Sequence, residues 1–431
     1  MSGSARLAVS LALAAALGAQ GCQAPLPKPT PTPPGPRGMT WGDIINVTND
    51  PAESLMQEAN GFQVGADASG RVHLVFRDAH LDPRFPEIYY TRSDASGAWT
   101  APLKVSDVAT QISVGSNQQV RVNGPMLAVS PAGTLHVTWG VFVENSAGAA
   151  VQPRQTFYQR STDGLAFSAP VLVATGGDDF GGATICQGGA LVNIISTDTT
   201  RKALHVSHSS DDGLTFTTFP IATYVSAKEA PVCAIAGGVA WVVWQDDRDG
   251  VVVGGLRRRD VHVSRSLTGG TTWEPAVNLS NTPGSGSSDQ SLAVSANGRV
   301  HVVFHDDQDD GNLSWEMYYV GSRDDGVTWD APQKLTTTRA VVGDGVNIDL
   351  PSVAATDDGT VYVVWQDNRS GVFQTFFKWG TDGEWAPEYA ISGQTRANYG
   401  PSIASSPDGS TIHVVWTGVG ASRDVLYRQL R

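Results

Sequence analysis

Apolar and polar residues alternate along most of the chain in short runs that stop at glycine-rich turns, the pattern of half-buried β-strands. One phrase recurs: a short apolar strand, a Gly turn, then a β-branched strand ending on an aromatic residue. It reads LAVSPAGTLHVTW over 127–139 and LAVSANGRVHVVF over 292–304. It returns over 353–365, over 403–416 with one extra residue, over 64–76, and as a variant over 232–244. The seventh copy, 185–195, lacks the final aromatic. No window carries a 3.6-residue apolar stripe, so a helical fold has no support.

A third strand follows each copy, as in EIYYTRS over 87–93, DVHVSRS over 260–266 and EMYY over 316–319. Directly behind it comes a turn: SRDDGVTW over 322–329, SSDDGLTF over 209–216, and SLTGGTTW over 266–273 with Thr268 in place of Asp. Shorter forms end at Trp99, Phe167 and Trp385. Ser and Asp oxygens accept backbone N–H bonds within such a turn, Gly takes the positive φ, and the aromatic packs between strands. A fourth strand often opens Ala-Pro, as at 101–105 and 331–335.

Four short antiparallel strands repeated at roughly 50–60 residues are the unit of a propeller blade. The expected fold is all-β, a seven-bladed β-propeller, with blade cores near 62–105, 125–174, 183–222, 230–279, 290–335, 351–391 and 401–431. The last copy stops after its third strand, and residues 41–48 resemble the missing fourth. Pairing the two termini in one blade would close the ring and remove a free edge.

These motifs resemble the Asp-box (BNR) repeat proteins of the sialidase superfamily, over nearly all of residues 41–431. The resemblance implies that the Asp-box turns lie on one face and that ligands bind on the other. That other face would carry the loops after each second strand and before each first strand. Its candidates are Arg77, Asp78, His80 and Arg84 from blade 1, Asp246 and Arg248 from blade 4, and His305 from blade 5. Asp367 and Arg369 from blade 6, with Arg396 and Tyr399 before blade 7, complete them. Sialidases clamp a carboxylate with three arginines and use a Tyr–Glu nucleophile with an Asp acid/base. The superfamily's F/Y-R-[IL]-P motif is absent here, and Pro83-Arg84-Phe85-Pro86 is a poor echo of it. Asp246-x-Arg248 and Asp367-x-Arg369 repeat one phrase in two blades, which reads as a device tying down a turn.

The remaining histidines fall in repeat columns. His73, His136, His301 and His413 share one second-strand position, which reads as packing. His305 is placed in a loop outside the pattern. The acidic run Asp306, Asp307, Asp309, Asp310 offers carboxylates for Ca²⁺ but lacks EF-hand spacing. No cofactor is otherwise required. Cys186 and Cys233 occupy one register in the innermost strands of adjacent blades, where a disulfide is plausible outside the cytoplasm.

The first 21 residues read as an export signal: Arg6, then an apolar stretch from Leu7 to Leu17 that is too short to span a bilayer. Ala19-Gln20-Gly21-Cys22 resembles a bacterial lipobox, which implies acylation of Cys22; the same residues also suit an ordinary A-x-A cleavage site. Residues 22–40 form a tether whose Pro-rich part, 24–38, holds seven prolines. The net charge of −13 excludes a nucleic-acid footprint. The expectation is an exported, surface- or periplasm-displayed propeller, held to a membrane by a lipid anchor only. It would bind a glycan or an extracellular protein without catalysis. The alternative is a sialidase-like glycoside hydrolase or a polysaccharide lyase.

Overall fold

The computed structural model describes residues 35–48, 54–55, 63–79, 84–94, 96–115, 117–176, 183–198, 202–223, 228–253, 256–282, 284–308, 314–337, 340–341, 348–420 and 422–431. The expected export signal, Cys22 and most of the tether lie outside these residues. Among the described residues, seven antiparallel sheets of four or five strands follow one another along the chain, with a two-stranded ribbon, Val252–Val253 with Leu256–Arg257, beside the fourth. Blade 2 shows the plan: Gln118–Val129, Leu135–Asn145, Gln155–Ser161 and Val171–Thr175 pair in sequence order. First strands of consecutive blades touch all the way round, from Val64–Ala66 in blade 1 to Ala397–Ser405 in blade 7 and back to blade 1. The protein is a closed seven-bladed propeller, as the repeats predict.

Closure joins the two ends of the described chain. Ile45 and Asn46 pair with Tyr427 and Leu426, and Trp41 bridges Leu430. The Trp41 indole meets Phe377 edge-on at 4.9 Å and donates to Tyr389 Oη at 3.1 Å. Blade 2 departs from the expected bounds, because its first two strands run well past the repeated phrase. The continuing alternation explains this: Val120, Val122, Val141 and Val143 are buried in the same way as the shorter phrase.

In six of the seven blades the aromatic that closes the repeated phrase packs in a core shared with the preceding blade. Phe76, Trp139, Trp244, Phe304, Trp365 and Trp416 are all buried. Truncating one to Ala would cost about 3–5 kcal/mol. Towards the opposite end of the second strand, the histidine column is a packing device. His73, His136, His301 and His413 each place Nδ1 2.7–2.8 Å from the Oη of Tyr90, Tyr158, Tyr319 and Tyr427. Burial drives His136, His301 and His413 each down to about 4, so the column is neutral and accommodated by the core.

The Ser-x-Asp-x-Gly turns have the local bonding expected of them. In blade 3, Ser209 Oγ accepts the Gly213 N–H at 2.9 Å, and Asp211 accepts the Thr215 N–H at 2.9 Å and its hydroxyl at 2.6 Å. Ser322, Asp324, Gly326 and Thr328 repeat these bonds in blade 5. Where Thr268 replaces Asp, its hydroxyl accepts the Thr272 N–H at 2.9 Å.

Two kinds of stitch hold neighbouring first strands together. Ser291 Oγ accepts the Val353 N–H, Ser352 Oγ the Ile403 N–H, and Ser402 Oγ the Gln63 N–H, at 3.2–3.3 Å. This chain of hydroxyls links blades 5, 6, 7 and 1. Blades 3 and 4 are joined instead by a disulfide between Cys186 and Cys233, whose Cα atoms are 5.6 Å apart.

Candidate functional site

Because strands alternate in direction, the end of each second strand and the start of each first strand share one face of the ring. Four second strands end there on Asp: Asp78, Asp246, Asp306 and Asp367. In blade 4, Asp246 accepts the Arg248 N–H at 2.9 Å, its guanidinium at 2.6 and 2.9 Å, and the Trp244 indole N–H at 3.0 Å. Blade 6 builds the same clamp with Asp367, Arg369 and Trp365, and Arg369 also reaches Glu388 at 2.6 Å. The repeated phrase thus ties down a turn.

The other candidate arginines are engaged as well. Arg77 donates to the Val122 carbonyl of blade 2 at 3.1 Å, Arg396 pairs with Asp424 at 3.0 Å, and Arg84 lies over the Phe85 ring at 5.7 Å. Asp78 is buried at the end of its strand. Tyr399, expected in a loop, belongs to the first strand of blade 7, opposite Thr417, with its ring 4.9 Å from Phe373. His80 lies outside the described residues.

Blade 5 breaks the clamp. Gln308 stands where Arg248 and Arg369 stand in their blades. Asp306 is fully buried and bonded to Ser287, Thr282 and the Gln308 N–H. Burial outweighs these bonds and pushes its carboxyl up to about 6. Asp307 accepts the Gly286 N–H at 2.6 Å and pairs with Arg258 at 3.1 Å. These are the two described carboxylates of the run expected to suit Ca²⁺; Asp309 and Asp310 lie outside the described residues.

His305, expected in a loop outside the pattern, is not in one. The second strand runs on to Asp306 and buries it. Its Nδ1 lies 3.2 Å from Asp349 and its Nε2 3.5 Å from Asp289, with Ser288 Oγ hydrogen-bonded to Nε2. The Trp315 ring centre is 4.4 Å away. Ligand atoms of Asp289, His305 and Asp349 lie within 4.8 Å of one another, close enough to share a divalent cation. Burial pushes the Asp349 carboxyl up, yet His305, Asp289 and the Leu350 N–H together hold it well below the usual carboxylate range.

The backbone makes this cluster specific to the junction of blades 5 and 6. Five first strands carry a register shift at one position, with positive φ at Gly124, Ala230, Asp289, Leu350 and Gly400. Proline follows four of these residues, but Gln290 follows Asp289. Asp289 and Asp349 carry no motif, so the repeat search passes over them. The signal for Asp289 was the departure from the X-Pro pattern in a single blade; Asp349 precedes a Leu350-Pro351 that keeps the pattern and had no such signal.

No protein-family model and no curated protein matches this chain. Among solved structures, it is similar to an ulvan lyase, described as a new family of polysaccharide lyase, bound to -[GlcA(1-4)Rha3S]-. That likeness has a TM-score of 0.58 at 12% identity, over 89% of this chain and 97% of the other. A protein of unknown function from Dyadobacter fermentans aligns with a TM-score of 0.48 at 13% identity, over 90% and 99%. The intramolecular trans-sialidase of Ruminococcus gnavus aligns with a TM-score of 0.46 at 11% identity, over 87% and 95%. At such identities, likeness of structure speaks for the propeller fold alone.

Proposed function

We propose that this chain is an exported, Asp-box type propeller that binds a glycan on the face carrying its strand 2–3 loops, without catalysing a reaction there. The observation that carries the reading is the engagement of the arginines. Arg248, Arg369 and Arg396 each bond an acidic side chain of their own blade, so among the described residues these arginines are not free to form a carboxylate clamp of the sialidase kind. Export rests on the apolar segment from Leu7 to Leu17, and anchoring on acylation of Cys22. The first described residues enter blade 7 at the end of its third strand, Leu430, on the side of the Ser-x-Asp-x-Gly turns. A tether from there leaves the binding face pointing away from a membrane.

The test is a glycan-binding screen of the full exported chain, run beside hydrolysis and lyase assays on sialosides and uronate polymers. Binding without turnover supports the reading; turnover lost on Arg248→Ala or Arg369→Ala overturns it.

One observation favours the enzymatic alternative, a carbohydrate-active acid–base site. The imidazole of His305 stands between two carboxylates at a junction where the repeat is broken, an arrangement suited to moving a proton. Turnover abolished by His305→Ala but kept in Arg248→Ala would select that alternative.

A further inference from the structure

Between blades 4 and 5 lies a groove of about 380 Å³, whose lining includes none of Asp289, His305 and Asp349. Blade 4 supplies its wall from Asn278 to Thr282, the end of its outer strand and the link that follows. Blade 5 supplies Gln308, then Trp329, Asp330 and Pro332 from behind its third strand. The volume sits near the lower end of small-molecule sites.

The lining has a distinct chemistry. Trp329 is half-buried and presents an aromatic wall, and its indole N–H has no hydrogen-bond partner among the described residues. That N–H is shielded from solvent, so the groove meets the face of the ring and not its N–H. The equivalent Trp273 of blade 4 instead donates to the Gly270 carbonyl at 3.0 Å. Asn278 and Thr282 are spent on the fold, bonding Asp260 at 3.1 Å and Asp306 at 3.0 Å. The side-chain amides of Asn281 and Gln308 have no such engagement among the described residues. Gln308 is available because blade 5 lacks the arginine that clamps the turn in blades 4 and 6. Asp330 is the one ionisable side chain in the lining, and it is paired with Arg323, which lies outside the lining, at 3.8 Å.

An aromatic wall beside amides and one carboxylate suits a sugar. The C–H face of the ring packs on the indole, and its hydroxyls donate to Asp330 and exchange bonds with the amides. The charge decides which sugar. A sialic acid or uronate would bring a carboxylate towards Asp330, and the one cation beside it, Arg323, is already shared between Asp330 and the Asp382 carbonyl.

We propose that the blade 4–5 groove is a second saccharide site, taking one or two uncharged sugar units. It rests on the glycan-binding reading and deepens it, meeting that face only at Gln308 in the strand 2–3 loop of blade 5. The probes are neutral gluco-, galacto-, xylo- and arabino-oligosaccharides and, as a contrast, oligogalacturonate, titrated against the full exported chain by calorimetry and tryptophan fluorescence. Binding of a neutral probe, weakened tenfold or more by Asn281→Ala with Gln308→Ala at unchanged Tm, is the expected result. Trp329→Phe, which keeps the packing but removes the N–H, should weaken binding less. No neutral probe binding, or binding indifferent to the double substitution, overturns the proposal. Glycan binding that persists in the double variant but is lost on His305→Ala would leave the upper-face reading standing while the groove fails. Absence of any glycan binding would sink both.

Discussion

His301 Nδ1 lies 2.8 Å from Tyr319 Oη, with the two rings stacked at 6.0 Å, and both groups are buried in blade 5. The pair recurs in blades 1, 2 and 7. Burial holds His301 down at about 4 and pushes Tyr319 up to about 12, so each stays neutral across the physiological range. An unfolded histidine titrates near 6.5. Between these values the unfolded state binds the proton that the folded state refuses. Stability is therefore complete above pH 6.5 and falls as the pH drops towards 4, by up to about 3 kcal/mol for each such histidine. Urea midpoints should fall between pH 7 and pH 4.5. The double variant His301→Phe with Tyr319→Phe should make that decline shallower. An unchanged slope would show that the pair does not control it.

Asp306 should act in the opposite sense. Its folded carboxyl stands at about 6, above the ordinary 3.8, so the folded state resists losing that proton. The cost is present above pH 6 and disappears as the pH falls below about 4. Asp306→Asn removes the charge and keeps an acceptor for the Gln308 N–H, and should stabilise the protein by up to about 3 kcal/mol at pH 8 and by nothing at pH 4. Asp246→Asn takes away the oxygen that Arg248 forks onto, and should destabilise by about 3 kcal/mol. Denaturation of both variants at pH 8 should move in opposite directions.

How much of this was legible depends on whether a residue belongs to the repeat. The blade phrase, the histidine column and the Asp-x-Arg clamps recur, and recurrence itself exposed them as structural. The chain of Ser291, Ser352 and Ser402 also recurs, but a serine in an apolar strand has no obvious partner until the neighbouring blade is in place. Asp289, Asp349 and the Trp329 groove are junctions between blades. Their chemistry comes from contacts some 16 to 60 residues apart in sequence, and no local pattern announces those.

The disulfide is the third lever. Cys186 and Cys233 close a loop with a sequence separation of 47, worth about 4 kcal/mol on loop entropy alone. Among the described residues no hydroxyl stitch of the Ser291 kind joins blades 3 and 4, and the covalent bond stands in its place there. Reduction, or Cys233→Ser, should lower the Tm and speed proteolysis around blades 3 and 4 first. A Tm indifferent to reductant would show that the two sulfurs are thiols in solution.

The seam between the chain ends should control the cooperativity of the whole ring. Trp41 packs on Phe377 and caps Tyr389, while Arg428 lies over its ring at 5.2 Å and donates to the Gly42 carbonyl at 2.8 Å. Without residues 35–48 the third strand of blade 7 becomes an exposed edge, and Leu426 and Leu430 lose their cover. Trp41→Ala should therefore cost about 3–5 kcal/mol, as for a core aromatic, although Trp41 is only half-buried. Deleting residues 35–48 should do more than add to that loss. A ring held at its seam unfolds as one unit, whereas an open one lets blade 7 fray ahead of the rest. Hydrogen exchange gives the decision. In the deletion variant, amides of 397–430 should exchange well before those of 118–145, while in the intact chain the two sets should exchange together.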